Sequence, residues 1–492
     1  MTLLKRRSFL TGAATIPFTL WFDKYARAQA PLVRHDARSP QGQAMLRVYA
    51  AAVRRMQTTA RYPEANPLSW TFQWYTHFVR GSTTKSAELA RIYPSPTPRR
   101  TLANETWNTC QSHSGQPEEY FLPWHRMYVY FFEQIIRNVS GNPTFTLPYW
   151  NSTRSGSSYG VIPPEFTRLG DPTFGALYMA RRNPGVNEGR AIAAPGVLNL
   201  DALSQCAYRP SGALAGFNQT LDFGLHGNVH VGVGNTTNMG AVPWAAGDPV
   251  FWLHHCMIDR LWASWNAAGR ANPTDSAFLN KTFIFADGNG NRVVTRIADV
   301  LAISRLGYAY DRLESVPACP PSRRSPLPTA ISTIGQGAPL TLGAAPARAT
   351  MDLVPPSVPR GDVPPARTFA ARMAAVDPKR SVFLVLRQLR ADLQPGTLFN
   401  VFLALPEGLA PEGGQEHLVG TINFFAAGHG DHGGEDHGTG DKFVSFDITA
   451  LAARLRARNL LNTDKLAVTF APVGAPVAGA QPLVGALAIV EQ

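Results

Sequence analysis

From about Ala44 to Tyr310 apolar residues recur at three- and four-residue spacings, the period of helices packed on one face. The clearest stretch runs from His125 to Val139, where Tyr128, Phe131, Phe132, Ile135 and Ile136 form the stripe of a buried helix. Loops interrupt the pattern at Pro94-Ser95-Pro96-Thr97-Pro98 and around Thr153 to Gly160. Further on the pattern changes to short β-like runs at 382–386, 398–405, 418–425, 443–448, 466–470 and 483–490. Six such strands with turn residues between them predict a small antiparallel sandwich or barrel. The expected fold is a mainly α domain followed by a β-sandwich-like C-terminal domain.

Twelve prolines lie between Glu314 and Arg367, including Pro320-Pro321, Pro355-Pro356 and Pro364-Pro365. Proline lacks the backbone donor a helix needs, so this stretch reads as an extended connector. The expected division is a helical domain at 31–312, a proline-rich linker at 313–367 and a β domain at 368–492.

The first thirty residues stand apart. Lys5-Arg6-Arg7-Ser8-Phe9-Leu10 precedes a weakly apolar stretch to Phe22 and two Ala-x-Ala sites ending at Ala28 and Ala30. That order resembles a twin-arginine export signal, which implies passage through the twin-arginine machinery and a periplasmic or secreted protein. The apolar stretch is too short for a stable membrane span.

The same residues explain part of the formal net charge of +12, since Lys5, Arg6, Arg7, Lys24 and Arg27 against Asp23 contribute +4. No basic run interleaved with aromatics follows, so nucleic-acid binding is not expected. At 45% hydrophobic and 16% charged, the 492 residues suffice for two or three real cores. Cys110, Cys206, Cys256 and Cys319 form no C-x-x-C pair, which excludes a zinc knuckle and leaves room for one or two disulfides of unknown pairing.

Histidine carries the chemistry. Seven of the twelve histidines lie in the helical region. His226-Gly-Asn-Val-His230 sets two imidazoles one helical turn apart, suited to gripping one metal ion. His254 and His255 follow; being adjacent, they lie about 100° apart on a helix, so only one is expected to reach that ion. Asp259, four residues after His255, can orient its imidazole through the second ring nitrogen, which selects His255 as ligand and His254 as neighbour. Upstream, His125 begins the aromatic helix, with His113 and His77 before it. In the last domain, His429, His432 and His437 alternate with Asp431, Glu435 and Asp436 in a glycine-rich run, read as a solvated loop or a transient holder of the metal.

These residues carry a resemblance. FLPWHRMYVYFFE, TLPYWN and DPVFWLHHCMIDRLW resemble the two copper-binding regions of the tyrosinase, catechol oxidase and molluscan haemocyanin family. Tyr308-Ala-Tyr310 resembles the Tyr-x-Tyr that closes the catalytic domain of plant polyphenol oxidases, and Phe443-Val-Ser-Phe-Asp447 resembles a strand of their C-terminal domain. The resemblance implies a four-helix bundle in which His77, His113 and His125 bind copper A and His226, His230 and His255 bind copper B. Three neutral imidazoles per ion suit copper and leave a face open for dioxygen, the co-substrate. A dizinc hydrolase would more often mix carboxylates with histidine.

The implied activity is ortho-hydroxylation of monophenols and oxidation of o-diphenols to o-quinones, with small phenols as substrates and a copper chaperone as a further partner. Asp222 and Gly227 match the positions that help take the phenol proton. Gly227 replaces the asparagine of many tyrosinases, which weakens the case for hydroxylation relative to catechol oxidation. Met239-Gly-Ala-Val242 aligns with a plant motif whose last residue overhangs copper A; valine there implies a wide mouth. Val231 and Phe251 complete the expected pocket, Phe251 either stacking on substrate or packing the bundle. Cys110 lies three residues before His113, whereas the Cys–His thioether of fungal and molluscan members spans two. Latent relatives cover the site with one C-terminal side chain until proteolysis, and a cuttable connector fits that arrangement. The alternatives are a catechol oxidase or o-aminophenol oxidase without hydroxylase activity, and a haemocyanin-like oxygen carrier.

Overall fold

The structure, a computed structural model, describes residues 30–111, 118–319, 331–355, 366–425, 427 and 443–492. The expected export signal, His113 and the histidines of the glycine-rich run lie outside the described residues.

The helical domain is built around α1 (Pro40–Met56), α2 (Trp70–His77), α3 (Phe121–Ser140), α4 (Gly227–Val233) and α5 (Val250–Ala267). The Ser39 hydroxyl accepts from the Gly42 N–H and Pro40 opens the helix, so α1 starts with a side-chain cap and a preset φ. Gly141, at φ 74°, stops α3 in the left-handed conformation that glycine adopts without strain. At the start of α5 the Asp248 carboxylate accepts from the Val250 N–H at 3.0 Å, and Arg182 grips that carboxylate at 2.7 and 2.9 Å. Every residue of α5 from Val250 to Trp265 is buried, including Asp259 and Arg260, which are charged and paired with Arg126 and Glu314. Against it lies α3, with Phe132 stacked on Trp252 at 3.4 Å. Of the four histidine-bearing helices, α3 and α5 run 20 and 18 residues, whereas α2 and α4 have 8 and 7.

Two ends of this domain meet in a parallel pair, β1 (Leu32–Arg34) beside β2 (Tyr308–Tyr310). The pair carries Arg34 into the core, where it reaches Glu133 at 2.9 Å and Asp259 at 3.1 Å, with its guanidinium 3.7 Å over the Tyr308 ring. Cys206 and Cys319 form a disulfide; the other two cysteines, Cys110 and Cys256, are buried free thiols.

The C-terminal domain consists of β3 (Ser332–Gly337), β4 (Ala347–Leu353), β5 (Val382–Arg390), β6 (Phe399–Leu403), β7 (Leu418–Ile422), β8 (Val444–Asp447), β9 (Lys465–Pro472) and β10 (Leu483–Glu491). They hydrogen-bond in the order β7-β6-β9-β4-β3-β10-β5-β8, with Leu340–Thr341 as a short extra strand beside β10. All pairs are antiparallel. The six expected strands are present, but two expectations need correction. Of the two forms expected, the domain is nearer the barrel than the sandwich: among the described residues one nine-stranded sheet curls until its edges approach, and a Cβ on Gly420 of β7 would lie 2.5 Å from the Phe446 ring of β8. The stretch 313–367 is not a linker throughout, since β3 and β4 lie within it. Its prolines cluster outside these strands, with Pro339 and Pro346 in the gap between them, so the ladder loses no donor.

The sheet has its own core, in which Ile334, Leu384, Val401, Val468 and Ile489 are fully buried, while Phe425 joins the core of the helical domain instead. Among the described residues no helix is long and apolar enough to cross a membrane.

Candidate metal centre

Three of the histidines arrive with one ring nitrogen already tied to a backbone carbonyl. His77, the last residue of α2, donates from Nδ1 to the Val242 carbonyl at 3.1 Å. His125 Nδ1 reaches the Phe121 carbonyl one turn earlier at 2.8 Å, and His230 Nδ1 reaches the Met239 carbonyl at 2.8 Å. A carbonyl only accepts, so these bonds place the proton on Nδ1 and leave Nε2 with a lone pair for a metal.

His226 is presented differently. Asp222–His226 forms a π-turn in which Gly224 departs from helical geometry at φ −92°, ψ −108°. Such turns re-aim side chains at functional sites. Here the turn brings the Asp222 carboxylate to 2.9 Å from His226 Nδ1.

The ligand atoms gather into two groups, His77 with Cys110 and His125, and His226 with His230, His254 and His255, each within 4.8 Å. The groups face one another, for the His125 ring stacks on His255 at 4.4 Å. Burial, reinforced by the neighbouring imidazoles, pushes His125, His230, His254 and His255 well below the usual histidine range. They are neutral, the form that binds a metal. This donor set fits a copper pair: imidazole nitrogens dominate both groups and their lone pairs converge.

Several expectations change. Adjacency does not separate His254 from His255, because both reach the second group. What separates them is direction: His255 Nε2 lies 3.3 Å from His230 Nε2 and its ring faces His125, whereas His254 stacks behind His226 at 5.5 Å. Asp259 does not orient His255. Its oxygens are taken by Arg126, Arg34, Tyr308 at 2.7 Å and Tyr310 at 2.6 Å, and among the described residues His255 Nδ1 has no hydrogen-bond partner. Two buried guanidiniums attract a carboxylate more strongly than a neutral imidazole does. The carboxylate–histidine pairing exists instead at Asp222.

Val242 is fully buried, and its carbonyl rather than its side chain serves the site through His77. Val231 is likewise buried, its carbonyl accepting from Asn183 at 2.8 Å. Phe251 packs between the groups, 5.0 Å from His77 and 4.1 Å from His255. The Cys110 thiol lies 3.4 Å from His125 Nε2.

Sequence reasoning missed the residues that the C-terminal domain lays against the histidines. Phe425, three residues beyond β7, lies parallel to His230 at 4.2 Å and edge-on to His226 at 5.6 Å. Asn423 beside it donates to the Phe223 carbonyl at 2.7 Å and to Asn228 Oδ1 at 2.8 Å. Both fell inside the β-like run 418–425, whose strand ends at Ile422. The available signal was two large aromatics, Phe424 and Phe425, shortly before a glycine-rich stretch.

Comparison with known proteins agrees with this arrangement. The common central domain of tyrosinase matches residues 67–175 and 180–268, the polyphenol oxidase middle domain matches 272–319, and a domain of unknown function (DUF7868) matches 332–492. The chain is 31% identical over 440 residues to tyrosinase HcTyr1 of Hahella sp., covering 83% of this chain and 89% of that protein. It is 31% identical to the latent form of a polyphenol oxidase of Prunus armeniaca over 39% of this chain and 37% of that one. Among solved structures, latent apple tyrosinase superposes with a TM-score of 0.60 at 19% identity, over 94% of this chain and 97% of that one. A functional unit of octopus hemocyanin gives 0.52 at 17% identity, over 93% and 99%. With two facing histidine groups in a helical core and a strand-rich domain behind them, the chain belongs to the tyrosinase and polyphenol oxidase family, in its form with a C-terminal domain.

Proposed function

We propose that this chain is a tyrosinase, hydroxylating monophenols at the ortho position and oxidising o-diphenols to o-quinones, and that its C-terminal domain keeps it latent. The observation that carries the reading is Phe425, an aromatic ring laid parallel to His230 where a phenol would have to enter. The chain thus fills its own site with a group shaped like the ring of its substrate.

Two coppers, held by His77, His113 and His125 and by His226, His230 and His255, would supply the redox chemistry with dioxygen. The protein fixes the lone pairs through the Nδ1 bonds and excludes water with Phe121, Trp124 and Phe251 around the histidines. In this reading Asp222 positions His226, and its expected share in moving the phenol proton runs through that contact. The relative named as a tyrosinase favours hydroxylation; Gly227 favours catechol oxidation. The Cys206–Cys319 disulfide supports an oxidising compartment, in line with twin-arginine export.

Oxygen uptake by the copper-loaded chain, before and after limited proteolysis, tests this with L-tyrosine and L-DOPA in turn. Uptake with both after cleavage, with a lag on tyrosine, is expected. Uptake with L-DOPA alone would make it a catechol oxidase. Equal activity before and after cleavage would remove latency, and dioxygen binding without turnover would favour a carrier.

A further inference from the structure

We infer that Asn423 is the latch that holds this cover shut, and that Gly227 is the notch into which the latch fits. The inference rests on the latent reading, and deepens it by assigning the holding force to a residue other than the plug itself.

Asn423 is 8% exposed, and its carboxamide is almost fully used. Its Nδ2 donates to the Phe223 carbonyl and to Asn228 Oδ1, both in the helical domain, at 2.7 and 2.8 Å. Its Oδ1 accepts the backbone N–H of Phe425 at 3.1 Å. One side chain therefore grips the π-turn and α4 while fixing the backbone of the plug two residues on. The other polar contacts across this interface, such as Ala215 N–H to Ser445 Oγ and Gln492 Nε2 to the Ser211 carbonyl, both 2.9 Å, fasten β8 and the chain end rather than Phe425.

Gly227 is not required by its backbone. At φ −64°, ψ −36° it sits in ordinary right-handed helix, which any residue adopts and in which glycine is worse than alanine. What requires it is Asn423: a Cβ at 227 would stand 2.5 Å from Oδ1, 2.7 Å from Nδ2 and 2.8 Å from Cγ. The whole carboxamide occupies the volume of the missing side chain. Residue 227 thus sets how firmly the cover closes, from a position directly after His226. An alanine there would favour the helix and loosen the cover, opposite effects that a merely structural residue would not show.

The test uses the full-length, copper-loaded chain as wild type, Gly227→Ala, Asn423→Ala and the double variant. For each, oxygen uptake with L-DOPA is measured before and after limited proteolysis and expressed as the ratio of the two. Amide hydrogen exchange of 418–425 in the uncleaved chain gives a readout independent of turnover. Each single variant should raise the ratio at least about fivefold, as expected for losing a buried polar contact, and speed exchange in 418–425. The double variant should exceed neither single by more than about twofold, because the Gly227→Ala clash is with the Asn423 side chain. Wild-type ratio and wild-type exchange in Gly227→Ala would overturn the latch. Independent, additive effects of the two substitutions would also overturn it. If wild type itself is equally active before and after cleavage, latency fails while hydrogen exchange still decides whether Asn423 docks.

Discussion

Arg34 fastens the first strand of the helical domain to its core, and its removal tests how much of the fold depends on buried charge. Its guanidinium is fully buried, bonds Glu133 at 2.9 Å, Asp259 at 3.1 Å and the Tyr310 hydroxyl at 3.1 Å, and lies 3.7 Å over Tyr308. Arg34→Met keeps the length and deletes the charge. Breaking a buried ion pair by removing one partner costs about 3–5 kcal/mol. The lower end applies here, because Glu133 keeps Arg137 and the Leu147 N–H, and Asp259 keeps Arg126, Tyr308 and Tyr310. About 3 kcal/mol corresponds to roughly 5 °C in Tm for a domain of this size. Tryptophan fluorescence isolates the effect, since apart from Trp21 every tryptophan lies between Trp70 and Trp265. Burial alone would raise the Asp259 carboxyl, but Arg126, Arg34, Tyr310 and Tyr308 outweigh it and hold it below the ordinary value. A depressed carboxyl adds stability above its unfolded pKa of about 4 and loses it as pH falls through the folded value. The gap between wild type and Arg34→Met should therefore be widest above about pH 4 and narrow below it. A Tm drop under about 2 °C at pH 7, or a gap that grows in acid, would refute the reasoning.

Further outcomes follow from other parts of the molecule. Phe425→Ala should let the uncleaved chain oxidise L-DOPA, by removing the ring laid on His230; unchanged latency in an oxygen-uptake assay would show that something else closes the site. Asp222→Asn should lower copper affinity by about 10- to 100-fold in a chelator competition, since it weakens the partner of His226 Nδ1. Burial pushes the Cys256 thiol up to about 12 and Cys110 well above the usual range, so a thiol reagent at pH 8 should find none in the native chain and two after unfolding. One thiol instead of two would reveal a thioether at Cys110. Cys319→Ser, which opens a link across 113 residues, should lower stability by about 2–5 kcal/mol in urea unfolding.

What the sequence made legible was whatever rests on local pattern. The aromatic stripe of α3 and the six β-like runs are periodic, and periodicity survives folding unchanged. The histidines were readable because their motifs are long. Partners were not readable. Asp259 sits one turn after His255, yet it turns to Arg34 and Arg126, 225 and 133 residues away, because a carboxylate follows the strongest charge within reach. Asp222 was read as a proton acceptor, and only the π-turn at Gly224 shows that it holds His226. β3 and β4 were hidden among prolines, which mark strand limits there and not the absence of strands. The aromatic pair Phe424-Phe425 could be seen, but the roles of Phe425 and Asn423 could not be read, because they depend on a surface some two hundred residues away.

The tie between Cys206 and Cys319 bears on when the molecule becomes durable. On the proposed twin-arginine route the chain must first hold together in a reducing cytoplasm, where this bond does not persist. During that interval the closing strand is held without it, by the pairing of β1 with β2, the grip of Arg34 and the bonds of Tyr308 and Tyr310 to Asp259. On that route the covalent tie would add to them after export, and Cys319 would stay attached to Cys206 when the chain is cut anywhere beyond it. Under the proposed export and latency, the polypeptide would leave the cell interior in a provisional form and harden outside, before any protease sets its catalytic half free.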